Sequence, residues 1–574
     1  MHTPTAVSST SVASKFTCSV VLILAGALMA SACTATKPRQ EAAPAQAELP
    51  ADPNALILGA EVALQRKQYL EASRAYVRAA ELSQDETLSE QATRIAYENN
   101  QWTLVLAAGQ RWLTLNPTNE DAHRFVGAAG LHLYQIDLAA THFKALIESA
   151  FISPKAGFLQ LLPQLLGESS GAVALAVLQK VARDYPDVAE AHYAVAQAAI
   201  EADHFALALE NARRAREIAP YWSPAGMLLA RVQVMLKQTD EGLATARSVI
   251  DQDPQDSDKL EFAILQIAAG REEEGRKALQ TMAETEGKSQ AAAQRALALI
   301  EYQSGEHEAA AQRFNALLAS GRFVYEAQFH LGTMAEARGD IEDAIQAYDR
   351  VTGGEFAMAA QTRGARLKAR AGGTQAALTS LETFGSNRPQ YTIQVIQAES
   401  TLQDELNDPK GALATLDRGL QEYPDSNELR LARVFLLESQ NKVSDAIEEL
   451  RAIVRERPED PAALNALGYT LVDRTRHQRE GLELIERALA ITPDNGAVLD
   501  SMGWALHKVG RQEEALEHLQ RARQRVQDGE VELHVGEVLA ALGRKEEAQQ
   551  VWQAAAQRFP ENTDLKERLK KSPK

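Results

Sequence analysis

Small and large apolar residues recur along most of this chain with a period close to 34 residues. When each period is counted from three positions after a recurring proline, small residues fall at positions 8, 20 and 27 and a large apolar residue at position 24. The stretch 496–529 carries Gly503, Ala515, Leu519 and Ala522 at these positions. A fixed period of about 34 residues is typical of stacked helix–turn–helix hairpins.

The prolines that mark the period lie where each hairpin is expected to end. Pro186, Pro220 and Pro254 are 34 residues apart, and so are Pro424 and Pro458. Because proline cannot donate the helical hydrogen bond, it fits the turn after a second helix. Small residues at positions 8 and 20 allow the two helices to cross closely. With no alternating strand pattern in the chain, the sequence predicts an all-α protein.

This pattern resembles the tetratricopeptide repeat (TPR) family over about 53–562. Among the best matches is Ala466-Leu467-Gly468-Tyr469 with Ala488 and Pro493. The resemblance implies a right-handed superhelical solenoid of about 10–15 hairpins, in which each repeat packs on its neighbours. The stretch 257–290 fits the pattern poorly and 358–390 is shortened, so irregular hairpins are expected there.

The N-terminal segment is predicted to be a secretion signal. Lys15 precedes an apolar run at 20–29 that is too short to span a bilayer. The run ends in Ala30-Ser31-Ala32-Cys33, which resembles the lipobox of bacterial lipoproteins. By this resemblance, 1–32 is a cleaved signal peptide and Cys33 carries the lipid. The alternative is an ordinary cleaved signal with a bystander cysteine.

Residues 33–52 are rich in Ala, Pro, Gln and Glu and lack an apolar face, so they are expected to form a disordered tether after the lipidated cysteine. Thr34 follows Cys33, where an Asp retains many lipoproteins in the inner membrane. The resemblance therefore places the protein on the outer membrane, facing the periplasm. Multiple acyl chains would make such an anchor stable.

The formal net charge of −18 disfavours nucleic acid as a partner. The C-terminal tail, 563–574, is basic but short, and it is interpreted as a solvated capping helix with positive charge near its C-terminal end.

The chain shows no pattern typical of catalysis or of cofactor and metal binding. It lacks His-Glu-x-x-His, a cysteine pair and Gly-x-Ser-x-Gly. The segment 270–278 lacks the Lys-Ser/Thr ending of a phosphate-binding loop. The carboxylates of 251–258 lack the glycine and terminal glutamate of a calcium loop, and Asp in a turn is expected to cap a helix. We therefore predict a protein that is not an enzyme, with no cofactor and no small-molecule substrate.

With catalysis and cofactor binding disfavoured, the sequence predicts that the solenoid binds protein partners on its surface. In TPR arrays, positions 2, 5, 9 and 12 of the first helix usually face the concave groove. In the two most regular repeats these positions, with one adjacent lysine, predict a peptide-docking patch of Asn465, Tyr469, Asp500, Trp504, His507 and Lys508. Tyr and Trp combine a large contact area with a polar tip. The alternative is that Tyr469 and Trp504 only pack between repeats.

The layout of lipobox, tether and TPR array resembles the envelope TPR lipoproteins, and the run at 498–511 is similar to the LbcA-type adaptors of carboxyl-terminal processing proteases. That resemblance implies a scaffold that binds a periplasmic protease together with substrates such as peptidoglycan hydrolases. Holding both on one solenoid would raise their effective concentration. The alternative is a structural scaffold of a polysaccharide-export, secretion or outer-membrane assembly system.

Overall fold

The computed structural model describes residues 52–149, 153–252, 254–560 and 562–571. Within these ranges the regular structure is α-helical, apart from one 3₁₀ turn at Pro389–Tyr391. The predicted signal peptide at 1–32, Cys33 and most of the predicted tether lie outside the described residues. The all-α prediction is confirmed.

The described helices form 15 consecutive pairs, here called hairpins 1 to 15, followed by one further helix. The first helices of the hairpins are α1 (Pro53–Gln65), α3 (Glu86–Glu98), α5 (Glu120–His132), α7 (Pro154–Glu168), α9 (Ala189–Glu201), α11 (Ser223–Met235), α13 (Asp256–Ala268), α15 (Gln290–Gln303), α17 (Val324–Arg338), α19 (Ala357–Arg370), α21 (Thr392–Glu405), α23 (Asn427–Ser439), α25 (Pro461–Arg474), α27 (Gly496–Lys508) and α29 (Gly529–Ala541). The second helices are α2 (Tyr69–Leu82), α4 (Trp102–Leu115), α6 (Ile136–Ile147), α8 (Gly171–Ala182), α10 (Phe205–Ile218), α12 (Thr239–Ile250), α14 (Glu272–Glu284), α16 (His307–Ala319), α18 (Ile341–Asp349), α20 (Thr374–Ser386), α22 (Pro409–Glu422), α24 (Val443–Glu456), α26 (Gln478–Ile491), α28 (Gln512–Arg525) and α30 (Lys545–Arg558). The last helix is α31 (Thr563–Lys571).

The recurring small residues lie where the helices of a hairpin cross, as the sequence pattern predicts. A Cβ atom added to Gly503 would lie 2.5 Å from Leu519 Cγ. One added to Gly536 would lie 2.0 Å from the indole nitrogen of Trp552. Ala515 is fully buried in the same way. Each hairpin therefore depends on the absence of bulk at these positions, because overpacking forces the helices apart.

Most hairpins turn through one residue with a left-handed backbone. Such a residue stands between the two helices in 13 of the 15 hairpins, as glycine in six of them and otherwise mainly as Asn, Asp or Lys, for example Asn441 (φ 60°). The turn of hairpin 13, at 475–477, has an extended Thr475 instead. The turn of hairpin 4 is an extended Ser169-Ser170, in which the Ser170 hydroxyl caps α8. These local differences predict a change of helix geometry at hairpin 4.

Hairpin 4 is the irregular unit of the described array. Its helices α7 and α8 make few contacts with each other, and α8 packs against α6 and α9 instead. Pro163 lies inside α7, where it removes a helical hydrogen bond. The stretches 257–290 and 358–390, expected to be irregular, instead form hairpins 7 and 10 with helices of ordinary length. These two stretches lack the typical repeat residues, but each still forms a helix–turn–helix hairpin.

The C-terminal end of the array is covered by α31. Leu565 is fully buried against hairpin 15, and the Arg568 guanidinium stands 4.3 Å from the centre of the Trp552 ring. Arg568 also pairs with Glu537. A mostly polar terminal helix of this kind keeps the last apolar face of a solenoid away from water. Among the described helices, none has the length and apolar character that crossing a membrane requires.

The solenoid curves far enough for its two halves to touch edge to edge. The turns inside hairpins 1, 2, 3 and 5 meet the turns that join hairpins 11 to 14, and we call this contact the seam. Asp494 N donates to Asp203 O at 2.9 Å, and the Tyr134 hydroxyl donates to Glu459 O at 2.7 Å. Hairpins separated by about eight to eleven repeats can meet only if the superhelix completes a turn between them.

Candidate functional site: the inner face of hairpins 13 to 15

The predicted docking residues lie on first helices that form the inner side of the curve. The Tyr469 hydroxyl, on α25, donates to Glu530 Oε1, on α29, at 2.8 Å. This bond passes over hairpin 14 and joins hairpin 13 to hairpin 15. A side chain reaches the second neighbour only on the compressed side of a curved stack. The concave placement expected for these helices follows from this contact.

Trp504 is at the centre of the site. Its indole nitrogen donates to Asp473 Oδ1 at 3.0 Å, which links α27 to α25. Its ring stacks on His534 with centroids 4.1 Å apart and on His507 with centroids 5.1 Å apart. The Lys508 ammonium lies 4.3 Å from the ring centre and 3.5 Å from Asp473. The indole is therefore held by stacked rings and by a hydrogen bond at its polar edge, while part of it stays exposed.

Beneath Trp504 lies a buried ion pair. His534 Nδ1 is 2.9 Å from Asp500 Oδ1, and both side chains are buried. Burial alone would lower the pKa of His534, but the charge of Asp500 and its hydrogen bond outweigh burial and raise that pKa above the usual value. The imidazolium form is thereby favoured. The carboxylate of Asp500 in hairpin 14 thus holds a protonated ring from hairpin 15.

Burial raises the pKa of two further groups of the cluster, Tyr469 and Glu530. Burial, followed by the nearby charge of Glu530, raises the pKa of Tyr469 well above its usual range, so its hydroxyl remains a donor. Burial also raises the pKa of the Glu530 carboxyl, although the positive charge of His534 opposes the shift. Acids in a desolvated site favour the neutral form because burial penalises charge.

The rim of the site is formed by His507, Lys508 and Asn465, which are all half-buried. His507 Nδ1 pairs with Gln512 Oε1 at 2.6 Å, which orients the ring from the second helix of hairpin 14. The side-chain oxygen of Asn465 has no hydrogen-bond partner within the described ranges. A buried acceptor without a donor is costly, so a bound N–H group would be favourable there.

The structure brings Tyr469, Asp500, Trp504, His507 and Lys508 into one patch, with Asn465 one helical turn before Tyr469. Each aromatic ring packs between repeats and also lies on the inner face. Whether the patch binds a partner stays a prediction.

The sequence interpretation missed Asp473, Glu530 and His534. Asp473 lies one helical turn after Tyr469 on the same helix, a spacing that could have pointed to it. Glu530 occupies position 2 of hairpin 15, so the same positional rule could have found it. His534 sits at position 6, which normally packs between repeats, and nothing in the repeat pattern marks it.

Other candidates behave as structural residues. Asp258, in the carboxylate-rich stretch, accepts from Gln255 N at 2.9 Å and so caps α13. In the part of the chain that the structure describes, no group of three or more His, Cys, Asp or Glu side chains is placed to hold a metal ion. Outside these candidates, Trp222 packs on Tyr193 with ring centroids 5.1 Å apart, and its neighbour Tyr221 is 85% exposed.

Two segments of the chain match family models described as tetratricopeptide repeat, over residues 295–357 and 405–468. The TPR repeat-containing protein PA4667 of Pseudomonas aeruginosa is 36% identical over 211 residues, which cover 37% of this chain and 36% of that protein. The match thus spans about a third of the length of this relative.

The chain also matches solved structures of TPR proteins. A tetratricopeptide repeat protein from Parabacteroides merdae is 17% identical with a TM-score of 0.33, and the match covers 43% of this chain and 98% of that one. Yeast Tom70 is 12% identical with a TM-score of 0.29, and the match covers 91% of this chain and 99% of that one. The chain is an all-helical, TPR-like solenoid, a fold that is typically a non-catalytic scaffold for protein–protein interactions.

Proposed function

We propose that this protein is a non-catalytic scaffold of the bacterial cell envelope that binds protein partners on the inner face of hairpins 13 to 15. In this proposal Cys33 carries the lipid, and the solenoid faces the periplasm from the outer membrane. The partners are a periplasmic carboxyl-terminal processing protease and its substrates, such as peptidoglycan hydrolases.

The observation that carries the proposal is the arrangement around Trp504. A half-exposed aromatic ring is fixed by the Asp473 carboxylate and by His534, with a lysine ammonium 4.3 Å from its centre. A rigid aromatic anchor with polar groups around it is typical of the residues that dominate protein interfaces, because little side-chain entropy is lost on binding. A peptide segment with an apolar residue and a nearby carboxylate would fit the ring and Lys508.

The adaptor proposal also draws on the lipobox at Ala30-Ser31-Ala32-Cys33 and on the run at 498–511, which is similar to the LbcA-type adaptors. The second candidate is a structural scaffold for polysaccharide export, secretion or outer-membrane assembly. Both candidates use a protein-binding solenoid, and they differ in the partners that should be recovered.

The test is a crosslinked pull-down from envelope extract with the full-length chain as bait, and mass spectrometry identifies the partners. Recovery of a processing protease together with cell-wall hydrolases is the expected result. Recovery of an export channel or a synthase without a protease would replace the adaptor by the second candidate.

The inner face is tested with Lys508→Glu. Reversal of this charge should reduce recovery of the partner about tenfold, which corresponds to about 1.4 kcal/mol of binding free energy. Lys277→Glu, an equal charge change at an exposed position of α14, is the matched control and should bind normally. Circular dichroism checks that both variants remain helical. Equal recovery with both variants would move the binding site away from hairpins 13 to 15.

A further inference from the structure

The seam joins uncapped helix ends to carboxylates from distant repeats. The amide of Leu70, in the first turn of α2, donates to Glu422 Oε1 at 2.8 Å. The amide of Thr103, in the first turn of α4, donates to Asp425 Oδ2 at 3.2 Å. Neither helix receives a side-chain hydrogen bond from its own N-cap residue. The second half of the chain therefore supplies caps to helices of the first half, and the positive ends of those helices favour such carboxylates.

The same arrangement recurs farther along the seam. Phe205 N, at the start of α10, donates to Asp494 Oδ2 at 3.3 Å. Asn495 Nδ2 donates to Asp203 Oδ2 at 3.0 Å, and the Arg525 guanidinium lies 4.6 Å from the centre of the Phe205 ring. The contact is thus built from hydrogen bonds and one cation–π pair. It lacks the dense apolar packing that holds adjacent hairpins together.

Caps supplied across the seam are not needed to form these helices. The second helices α12 and α14 also lack a side-chain cap from their N-cap residues, Gln238 and Arg271, and both are complete without a seam. Their stability comes from packing inside and between hairpins. Separation of the two edges should therefore leave every hairpin folded.

We propose that the seam is a clasp that opens and closes while the hairpins stay folded, and that its opening admits a folded protein to the inner face from the side. When the seam is closed, successive turns of the superhelix touch, so the inner face is reached only from the open ends. When it is open, hairpins 1 to 5 separate from hairpins 11 to 14. The inference concerns access to the inner face and does not depend on which partner binds there.

The opening is measured by the distance between two spin labels that flank the seam. Lys67 and Gln421 are exposed on its two sides and are replaced by cysteine for labelling. The only native cysteines, Cys18 and Cys33, are replaced by serine in the full chain, which is kept in detergent. With the seam intact, double electron–electron resonance should give one narrow, short distance distribution.

Glu422→Ala with Asp425→Ala removes the two carboxylates that hold the starts of α2 and α4, and the distribution should broaden and gain a population at longer distances, because this end of the seam is released. Asp251→Ala with Glu286→Ala removes the same charge from the exposed turns after α12 and α14 and should change nothing. Far-ultraviolet circular dichroism should show the same helix content in all variants.

Three results would overturn the proposal. A broad distribution in the protein with native Glu422 and Asp425 would mean that the seam is not closed in solution. A narrow, unchanged distribution in the doubly substituted variant would mean that these carboxylates do not hold it. A loss of helix content in that variant would mean that the seam cannot open without unfolding hairpins.

Discussion

Asp500 and Asp425 both accept hydrogen bonds from another hairpin, but they do so in very different surroundings. Asp500 is buried, and its partner His534 belongs to the next hairpin. Asp425 is only half-buried, and its partner Thr103 lies 322 residues away in the sequence. Adjacent hairpins exclude water from their contact, whereas the Glu422 and Asp425 carboxylates of the seam stay partly exposed. Similar groups are therefore expected to contribute very different free energies.

The contrast also separates rigid from movable parts of the molecule. Charges buried between neighbours must remain paired, because an unpaired buried charge is strongly destabilising. Solvent-accessible hydrogen bonds exchange readily with water and contribute little net free energy. The inner face of hairpins 13 to 15 should thus keep its shape while the seam opens and closes.

The largest effect is expected for Asp500→Ala, which leaves His534 buried without its partner. Removal of one member of a buried ion pair typically costs about 3–5 kcal/mol. The loss should appear in hydrogen exchange as lost protection of α27 and α29, with hairpins 1 to 5 unaffected, because repeats couple mainly to their neighbours.

The control for this change is the double variant Asp500→Asn with His534→Gln, which removes both charges and keeps polar groups of similar size. It should recover most of the lost protection. Equal losses in the single and double variants would show that the ion pair itself is not what holds these helices.

The second prediction compares how stability depends on pH around His534 and around His330. Because the folded pKa of His534 is raised, its contribution to stability is present below the unfolded pKa of about 6.5 and is lost as pH rises through the folded value. Burial, with a smaller effect of Arg295, lowers the pKa of His330 to about 4, so acidification below about 6.5 should destabilise its surroundings.

Hydrogen exchange between pH 5 and pH 8, corrected for the intrinsic exchange rate, should therefore give opposite trends in these two regions. The protection of hairpins 14 and 15 should fall as pH rises, and that of hairpins 8 and 9 should fall as pH is lowered. Substitution of each histidine by Gln should remove its own trend only. Parallel trends in both regions would contradict the ionisation states assigned here.

The smallest effect is expected at the seam. Glu422→Ala with Asp425→Ala should lower the free energy of unfolding by only about 1–2 kcal/mol, the sum of two solvent-accessible hydrogen bonds. Chemical denaturation of the full chain should detect little change, even where the label distances respond. A loss of unfolding free energy as large as that of Asp500→Ala would show that the seam and the buried ion pair do not differ in their contribution to stability.

Much of the architecture could be predicted from local spacing. The small residues at Gly503 and Ala515 predicted a close helix crossing, and the all-α solenoid is confirmed. Trp504 and Tyr469 were identified by their position in the repeat. The stretch 257–290 fits the repeat pattern poorly and was predicted to be irregular, yet it forms an ordinary hairpin. Helix packing tolerates many apolar combinations, so the hairpin does not require the typical repeat residues. The irregular geometry of hairpin 4 was not predicted, because it arises from its turn and from Pro163 and not from the residues at the repeat positions.

The sequence by itself determined the hairpin, its period and the faces that pack, because these depend on residues within one repeat or its neighbour. The pairing of His534 with Asp500 and the bond from Tyr469 to Glu530 depend on how three hairpins stack. The seam depends on the stacking of most of the array, because small rotations between hairpins add up over nine or ten repeats before Thr103 meets Asp425. The sum of these rotations cannot be predicted from residues within one repeat. The contact between the two halves is therefore visible only in the tertiary structure.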